Sequence, residues 1–314
     1  LRMHNWSKCR TQTRWTLRGA SVLLVLSALH TAAWSIVRRH DRTDAQYIAF
    51  GSQPQFQAVG YLTSSSSFGS GTVIADGSWV LTAAHVVGSS APSNWSFVLG
   101  SSTYSVSAIY VHPLWNGNLN NGGDIALVKL SSVVTGVTPA QIYTGAPIGL
   151  IGAVGYSVGY GLTGTGIGGY GGSIDGQRRA MENVIDAFYN SNSNPQEWFL
   201  SDFDSPSGNT NSLGVVGSSP NPLNLEGMGA PGDSGGPVFV LQGSNYFIAG
   251  VHSFLADVGP PIGNNNPDAR YGDLLGSTRV DLYADWINST IPEPASMTAL
   301  AVGLVGVLVR RRRR

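Results

Sequence analysis

Few residues in this 314-residue chain have the types and spacing for covalent chemistry, and they lie far apart. The stretch GAPGDSGGPVF, Gly229 to Phe239, sets Ser234 between an acid and two glycines at the head of an apolar run. A serine hydroxyl is a weak nucleophile unless a base removes its proton, and that base works best when a carboxylate orients it and stabilises its charged form. Of six histidines, His4, His30 and His40 lie in or beside a leader-like segment, leaving His85, His112 and His252. His85 follows the apolar run VLTAA, where a histidine without a polar task would be out of place. His112, standing before a proline, reads as a surface or structural residue. Asp124 opens DIALVKL, whose remaining residues look buried, and burying an acid there is costly unless it is paired. Ser234, His85 and Asp124 are thus one candidate set for nucleophilic acyl transfer.

In chain order, LTAAHVV, GGDIALVKL and GDSGGPVF closely resemble the three motifs of the chymotrypsin/trypsin-like serine proteases, and the order His, Asp, Ser distinguishes that family among triad enzymes. Smaller similarities lie in IYVHPLWN, GYGLTGTG and TRVDLYADWINSTI, so the resemblance runs from about Ile48 to Ile291. It implies an all-β fold of two perpendicular six-stranded β-barrels with a short C-terminal helix, the active site lying between the barrels. It further implies His85 as general base and then acid, Asp124 as its orienter and Ser234 as the nucleophile. The backbone N–H groups of Gly232 and Ser234 would form the oxyanion hole. Asp233 would pair with a new N-terminus exposed by cleavage, and Met228, Gly229, His252, Ser253 and Phe254 would contact substrate.

The chain departs from the family pattern in two places. The Ile-Val-Gly-Gly start of trypsin-type members is missing; the nearest candidate is YIAFG, Tyr47 to Gly51, and Arg42, a possible cleavage point, is not adjacent to Ile48. The activation step is therefore open. Met228 stands where trypsin-like enzymes carry an aspartate, and a thioether cannot pair with Lys or Arg, so an apolar P1 side chain is favoured. His252, at a position where glutamate-specific relatives carry a pocket histidine, keeps an acidic P1 open, and Leu255 replaces a usual glycine and narrows the entrance.

Composition points to the same fold class. Charged residues make up 11% of the chain, and short apolar or alternating runs separated by Gly, Ser, Asn and Pro read as strand after strand with tight turns. Val280, Tyr283, Trp286 and Ile287 fall at helical spacing within Thr278 to Ile291, which predicts a closing helix. GTGIGG, inside the glycine-dense Gly155 to Ala180, has no strand-helix alternation around it and reads as a loop rather than a dinucleotide site. Asn190 to Gly227 reads as surface loop with a strand or hairpin around EWFLSDF.

The two ends read as addresses. Residues 1–35 resemble a secretory signal peptide: Arg14 and Arg18 precede the apolar ASVLLVLSAL, small residues follow, and cleavage is expected near Ala33 or Ser35. Residues 36–47 would be a linker or short propeptide and 48–291 the protease domain. Residues 292–314 hold Pro292, Glu293 and Pro294, a short apolar transmembrane stretch and five arginines, and resemble the PEP-CTERM sorting tail of exopolysaccharide-producing Gram-negative bacteria. That resemblance implies an exported, bacterial, envelope or extracellular protein, membrane-associated through its tail until an exosortase-type enzyme processes it.

Without its ends the chain keeps five basic residues against sixteen acids, a net charge of about −11 that opposes nucleic-acid binding. The single cysteine, Cys9, lies in the leader, so a disulfide framework, a cysteine nucleophile and a Cys-rich zinc site are all excluded from the mature chain. The expectation is a monomeric serine endopeptidase acting on protein or peptide substrates with no metal or organic cofactor. The alternatives are a catalytically idle surface or biofilm-matrix binding protein on the same scaffold, and a processing protease dedicated to one envelope partner.

Overall fold

Short β-prone runs punctuated by turn residues favour strands that pair with their chain neighbours, and the computed structural model shows this throughout. It describes residues 36–171, 174–189, 197–260 and 262–292, with the backbone of Arg2–Asn5. Six strands make the first half: β1 (Val59–Thr63), β2 (Phe68–Ile74), β3 (Trp79–Thr82), β4 (Ser96–Leu99), β5 (Ser102–Val111) and β6 (Ala126–Leu130). They close a barrel in the order β1-β2-β3-β6-β5-β4, every neighbouring pair antiparallel. Closure removes both sheet edges, and Val59, Leu62, Val73, Leu81, Phe97 and Leu127 are fully or almost fully buried.

The second half contains β7 (Val154–Gly159), β8 (Arg179–Val184), β9 (Ala187–Tyr189), β10 (Trp198–Asp202), β11 (Pro237–Gln242), β12 (Asn245–Asp257) and β13 (Leu274–Arg279). Their sheet runs β8-β7-β11-β12-β13-β10-β9, and its two end strands are consecutive in the chain. Ile185 and Asp186 join them: Asp186 N donates to Leu200 O at 2.9 Å and Asn183 Nδ2 to Asp202 O at 2.7 Å. With β8 and β9 taken as one bent strand, this half is also a ring of six. One apolar cluster extends from the first barrel to Val158, Phe239, Ile248 and Val251 of the second, so the halves share a core.

His252 still bonds the segment before β11, its N–H to Gly236 O at 2.9 Å and its carbonyl to Gly235 N–H at 3.0 Å, and from Ser253 onward β12 has no pairing with β11 on that side. Along it the backbone of Arg2–Asn5 lies antiparallel, Asn5 opposite Phe254 and Arg2 opposite Asp257. The remainder of the expected signal segment, residues 6–35, lies outside the described residues, as does the sorting tail from Glu293 onward with its transmembrane stretch. Among the described residues no helix is long and apolar enough to cross a membrane.

Three sequence expectations need correction. The closing helix is shorter: Thr278 and Arg279 end β13, because Thr278 pairs with Val251 and Trp198, and the α-helix is only Ala284–Thr290. YIAFG, the nearest candidate for the missing start, lies in a helix, Asp44–Gly51, entered through a Thr43/Gln46 capping box, with Tyr47 fully buried. Part of the glycine-dense stretch read as a loop is the hairpin Thr163–Thr165/Gly169–Gly171.

Candidate active site

β3 delivers the chain into a single helical turn, Ala84–Val87, that carries His85. The imidazole is almost fully buried, and its Nδ1 lies 2.8 Å from Asp124 Oδ2. The other oxygen, Oδ1, accepts the His85 backbone N–H at 2.9 Å. One carboxylate therefore holds both the ring and the backbone that carries it. An ionised carboxylate only accepts, so Nδ1 carries the proton and Nε2 presents its lone pair. Asp124 has no solvent exposure. Ser253 Oγ, at the free edge of β12, donates to Asp124 Oδ2, and Thr278 Oγ1 from β13 donates to the Asp124 carbonyl at 3.2 Å. The acid comes from the first barrel, and the second adds polar support through Ser253 and Thr278.

Ser234 lies in the turn leading into β11. Gly232 has φ +95°, a left-handed conformation that side chains resist, so the turn requires glycine there. β2 grips this turn from the first barrel: Ser70 N donates to Ser234 O at 2.7 Å and Ser70 Oγ to Gly232 O at 2.9 Å. A Cβ on Gly69 would lie 2.7 Å from Val86 and 2.9 Å from Ser234 O, so the His85 helix and the serine turn meet across this one residue. Ser234 Oγ and His85 Nε2 are buried and accept or donate no hydrogen bond to protein. Buried polar atoms are normally paired, and these two unpaired ones are carried by segments that meet across Gly69. A cavity of about 630 Å³ opens beside His85, lined among others by Pro92, Ile109, Val111 and Trp115.

Asp233 is wholly buried, and burial pushes its carboxyl well above the ordinary range. Among the described residues its oxygens accept the backbone N–H groups of Gly161 at 3.3 Å and Ala230 at 2.9 Å. Between the segments carrying those two donors runs Val37–Arg38, parallel to Thr163–Thr165 and antiparallel to Gly227–Met228, with Ile36 fully buried at its head.

Met228 and Leu255 join Leu275 and Ala230 in one apolar cluster, and a Cβ on Gly229 would come 3.1 Å from Leu275 Cδ1. His252 is fully buried; burial pushes it down to about 3, its Nδ1 lies 3.2 Å from Ser277 Oγ, and its Nε2 has no partner. The Phe254 ring packs edge-on against Trp198 at 5.5 Å, so only its backbone faces the free edge. His112 packs on Tyr283 and Trp286, as a structural histidine does. Among the described residues no group of three His, Cys, Asp or Glu side chains is disposed to hold a metal ion.

Comparison with known proteins decides the family. The Trypsin family model matches residues 45–174. Over 246 residues the chain is 31% identical to chymotrypsin-like elastase family member 1 of Macaca fascicularis, an alignment covering 70% of this chain and 77% of that protein. The chain belongs to the trypsin-like serine protease family. The rat counterpart of that elastase is 30% identical over 225 residues, covering 68% of this chain and 75% of the relative. In fold this protease-family chain is similar to neuropsin, a serine protease expressed in the limbic system of mouse brain: TM-score 0.54 at 18% identity, covering 76% of this chain and 97% of the other. The PEP-CTERM protein-sorting motif matches residues 290–314, the tail that the sequence alone suggested.

Sequence reasoning missed Glu197, Thr278, Leu275 and Ile36. Glu197 and Leu275 lie outside the quoted motifs, Thr278 only opens TRVDLYADWINSTI, and all three reach the site through sheet pairing; Ile36 carried a signal, an Ile-Val pair just after the expected signal-peptide cut, that was passed over for want of the glycines.

Proposed function

We propose that this chain is an exported serine endopeptidase that hydrolyses peptide bonds through an acyl-enzyme. The observation that carries this reading is the doubly held His85–Asp124 pair, on a helical turn that meets across Gly69 the turn carrying a buried, unpartnered Ser234 hydroxyl. His85 Nε2 takes the Ser234 proton as Oγ attacks the carbonyl carbon. Asp124 stabilises the resulting imidazolium, which then protonates the leaving amine; water repeats the cycle on the ester. The N–H groups of Gly232 and Ser234 stabilise the oxyanion. Substrate lies extended along the free edge of β12 from Ser253, a mode that the antiparallel seating of Arg2–Asn5 there supports.

The P1 side chain enters against Met228, Leu255 and Leu275. That apolar filling supports a small apolar residue, and a His252 kept neutral by burial has no positive charge to offer an acidic one. For Asp233 we propose Ile36 as partner. Cleavage after Ser35, within the expected signal-peptide site, would bring an ammonium toward a wholly buried carboxylate whose donors among the described residues are two neutral backbone N–H groups, so export and activation would be a single cut. The sorting motif supports export, envelope association and processing by an exosortase-type enzyme.

The test is intact-mass spectrometry after exposure to a fluorophosphonate. One adduct on the protein beginning at Ile36, absent from Ser234→Ala, is expected. No adduct on that form would overturn the activity and leave a binding protein on a protease scaffold.

A further inference from the structure

Asp124 can hold His85 only if its own backbone is held, and the segment before it is an unusual support. Gly122 (φ +78°, ψ −169°) and Gly123 (φ +75°) both take backbone conformations that favour glycine. The turn they make is a small concavity in which a Cβ at either position would meet a neighbour within 3 Å. In this chain that concavity is occupied from the other half of the molecule. Glu197 Oε1 accepts Gly123 N–H at 2.5 Å, and the same carboxylate accepts the Asp124 N–H and the Tyr283 hydroxyl. Tyr283 Oη in turn accepts Gly123 N–H at 3.1 Å. A side chain on Gly122 would collide with Glu197 Oε2, so the turn and the carboxylate fit only each other.

Glu197 is itself fixed. It is almost fully buried just before β10, and its carbonyl accepts Arg279 N–H at 2.9 Å from β13, the strand that also bonds the Asp124 carbonyl through Thr278. Among the described residues no cation contacts its carboxylate; its neighbours are Asp124, Tyr283 and, behind Tyr283, the His112 ring. A buried carboxylate without a cation is a costly support, so its three donors and its fixed place are what keep it there.

We propose that Glu197 is a positioning residue for the His85–Asp124 pair: a carboxylate from the second barrel, filling the backbone concavity before Asp124, sets the angle at which Asp124 meets the imidazole. It touches no reacting atom and acts only through Asp124. This rests on the protease reading given above. Loss of Glu197 leaves the Gly123 and Asp124 N–H groups without their acceptor and lets the turn shift. A displacement of about 1 Å at a general base costs up to about a hundredfold in rate.

The experiment compares Glu197→Gln and Glu197→Ala with the unaltered protein beginning at Ile36. Gln keeps an acceptor for the two N–H groups; Ala removes it. Expected for Ala is a fall in kcat of roughly ten- to a hundredfold with KM within about threefold, matched by a slower fluorophosphonate reaction at Ser234. The downfield proton resonance of His85 Nδ1–H should shift or broaden in Ala and return in Gln, together with most of kcat. A residue that only stabilises the fold would change the melting temperature and leave that resonance and kcat alone, and this result, in folded protein, would overturn the proposal. Equal damage from Gln and Ala would do the same, because it would assign the effect to charge rather than to the backbone grip. Should the unaltered protein not react with the fluorophosphonate, the protease reading fails, while the His85 resonance still tests the positioning role in all three proteins.

Discussion

Leu275 offers the sharpest quantitative test of how this site selects substrate. It is 3% exposed, joins Met228 and Leu255 in one cluster, and stands 3.1 Å from where a Cβ on Gly229 would be. Leu275→Ala removes three carbons from the floor of the proposed P1 recess. Each methylene transferred from water into an apolar site is worth about 0.8 kcal/mol, so a P1 side chain three carbons larger could recover at most about 2.4 kcal/mol. At about 1.4 kcal/mol per tenfold, that is an upper bound of roughly fifty-fold in kcat/KM. Truncating a buried leucine should also cost about 2–5 kcal/mol of stability, so the variant is read at a temperature where denaturation curves show it folded. The assay is kcat/KM for one peptide series with Ala, Val, Leu and Phe at P1. The expected outcome is a preference for Ala or Val in the parent that moves toward Leu in the variant. An unchanged ranking in a folded Leu275→Ala protein would refute the reasoning that this cluster faces the P1 side chain.

Further outcomes follow from the same geometry. Asp124→Asn should lower kcat by about ten-thousandfold with little change in KM, because an amide can present its N–H to His85 and hold the wrong tautomer; steady-state kinetics on a purified sample checks this. Protein beginning at Ile36 should be active, whereas the same chain with two extra residues before Ile36 should be slow toward a fluorophosphonate, since the ammonium can no longer reach Asp233. Burial raises Asp204 to about 7 and Glu226 to about 8, with Asp186 and Asp202 also raised. Acids whose folded values are raised bind more protons folded than unfolded, so their stabilisation is fully present below about pH 4 and falls as pH rises through 7 to 8. Urea midpoints should therefore decline across that window through these groups, and Asp204→Asn should flatten the decline.

The sequence by itself determined which residues could do the chemistry and the class of fold that would carry them. LTAAHVV, GGDIALVKL and GDSGGPVF are local strings whose turns and strand ends follow from the residues in them, so His85, Asp124 and Ser234 could be named without coordinates. The all-β class was equally legible, because turn residues punctuate nearly every apolar run, whereas Arg179–Val184 and Leu274–Arg279 were not legible as strands. The tertiary structure alone decided how those parts are held. Glu197 reaches the turn before Asp124, and Thr278 the Asp124 carbonyl, across the boundary between the two halves. Leu275 closes on Gly229 because β13 pairs with β12, and Ile36 is brought toward the Asp233 segment by two short strands distant in sequence. Contacts of this kind depend on sheet order and register, which no spacing along one chain encodes. Residue type limits which reactions are available, and long-range pairing sets the distances at which they can occur.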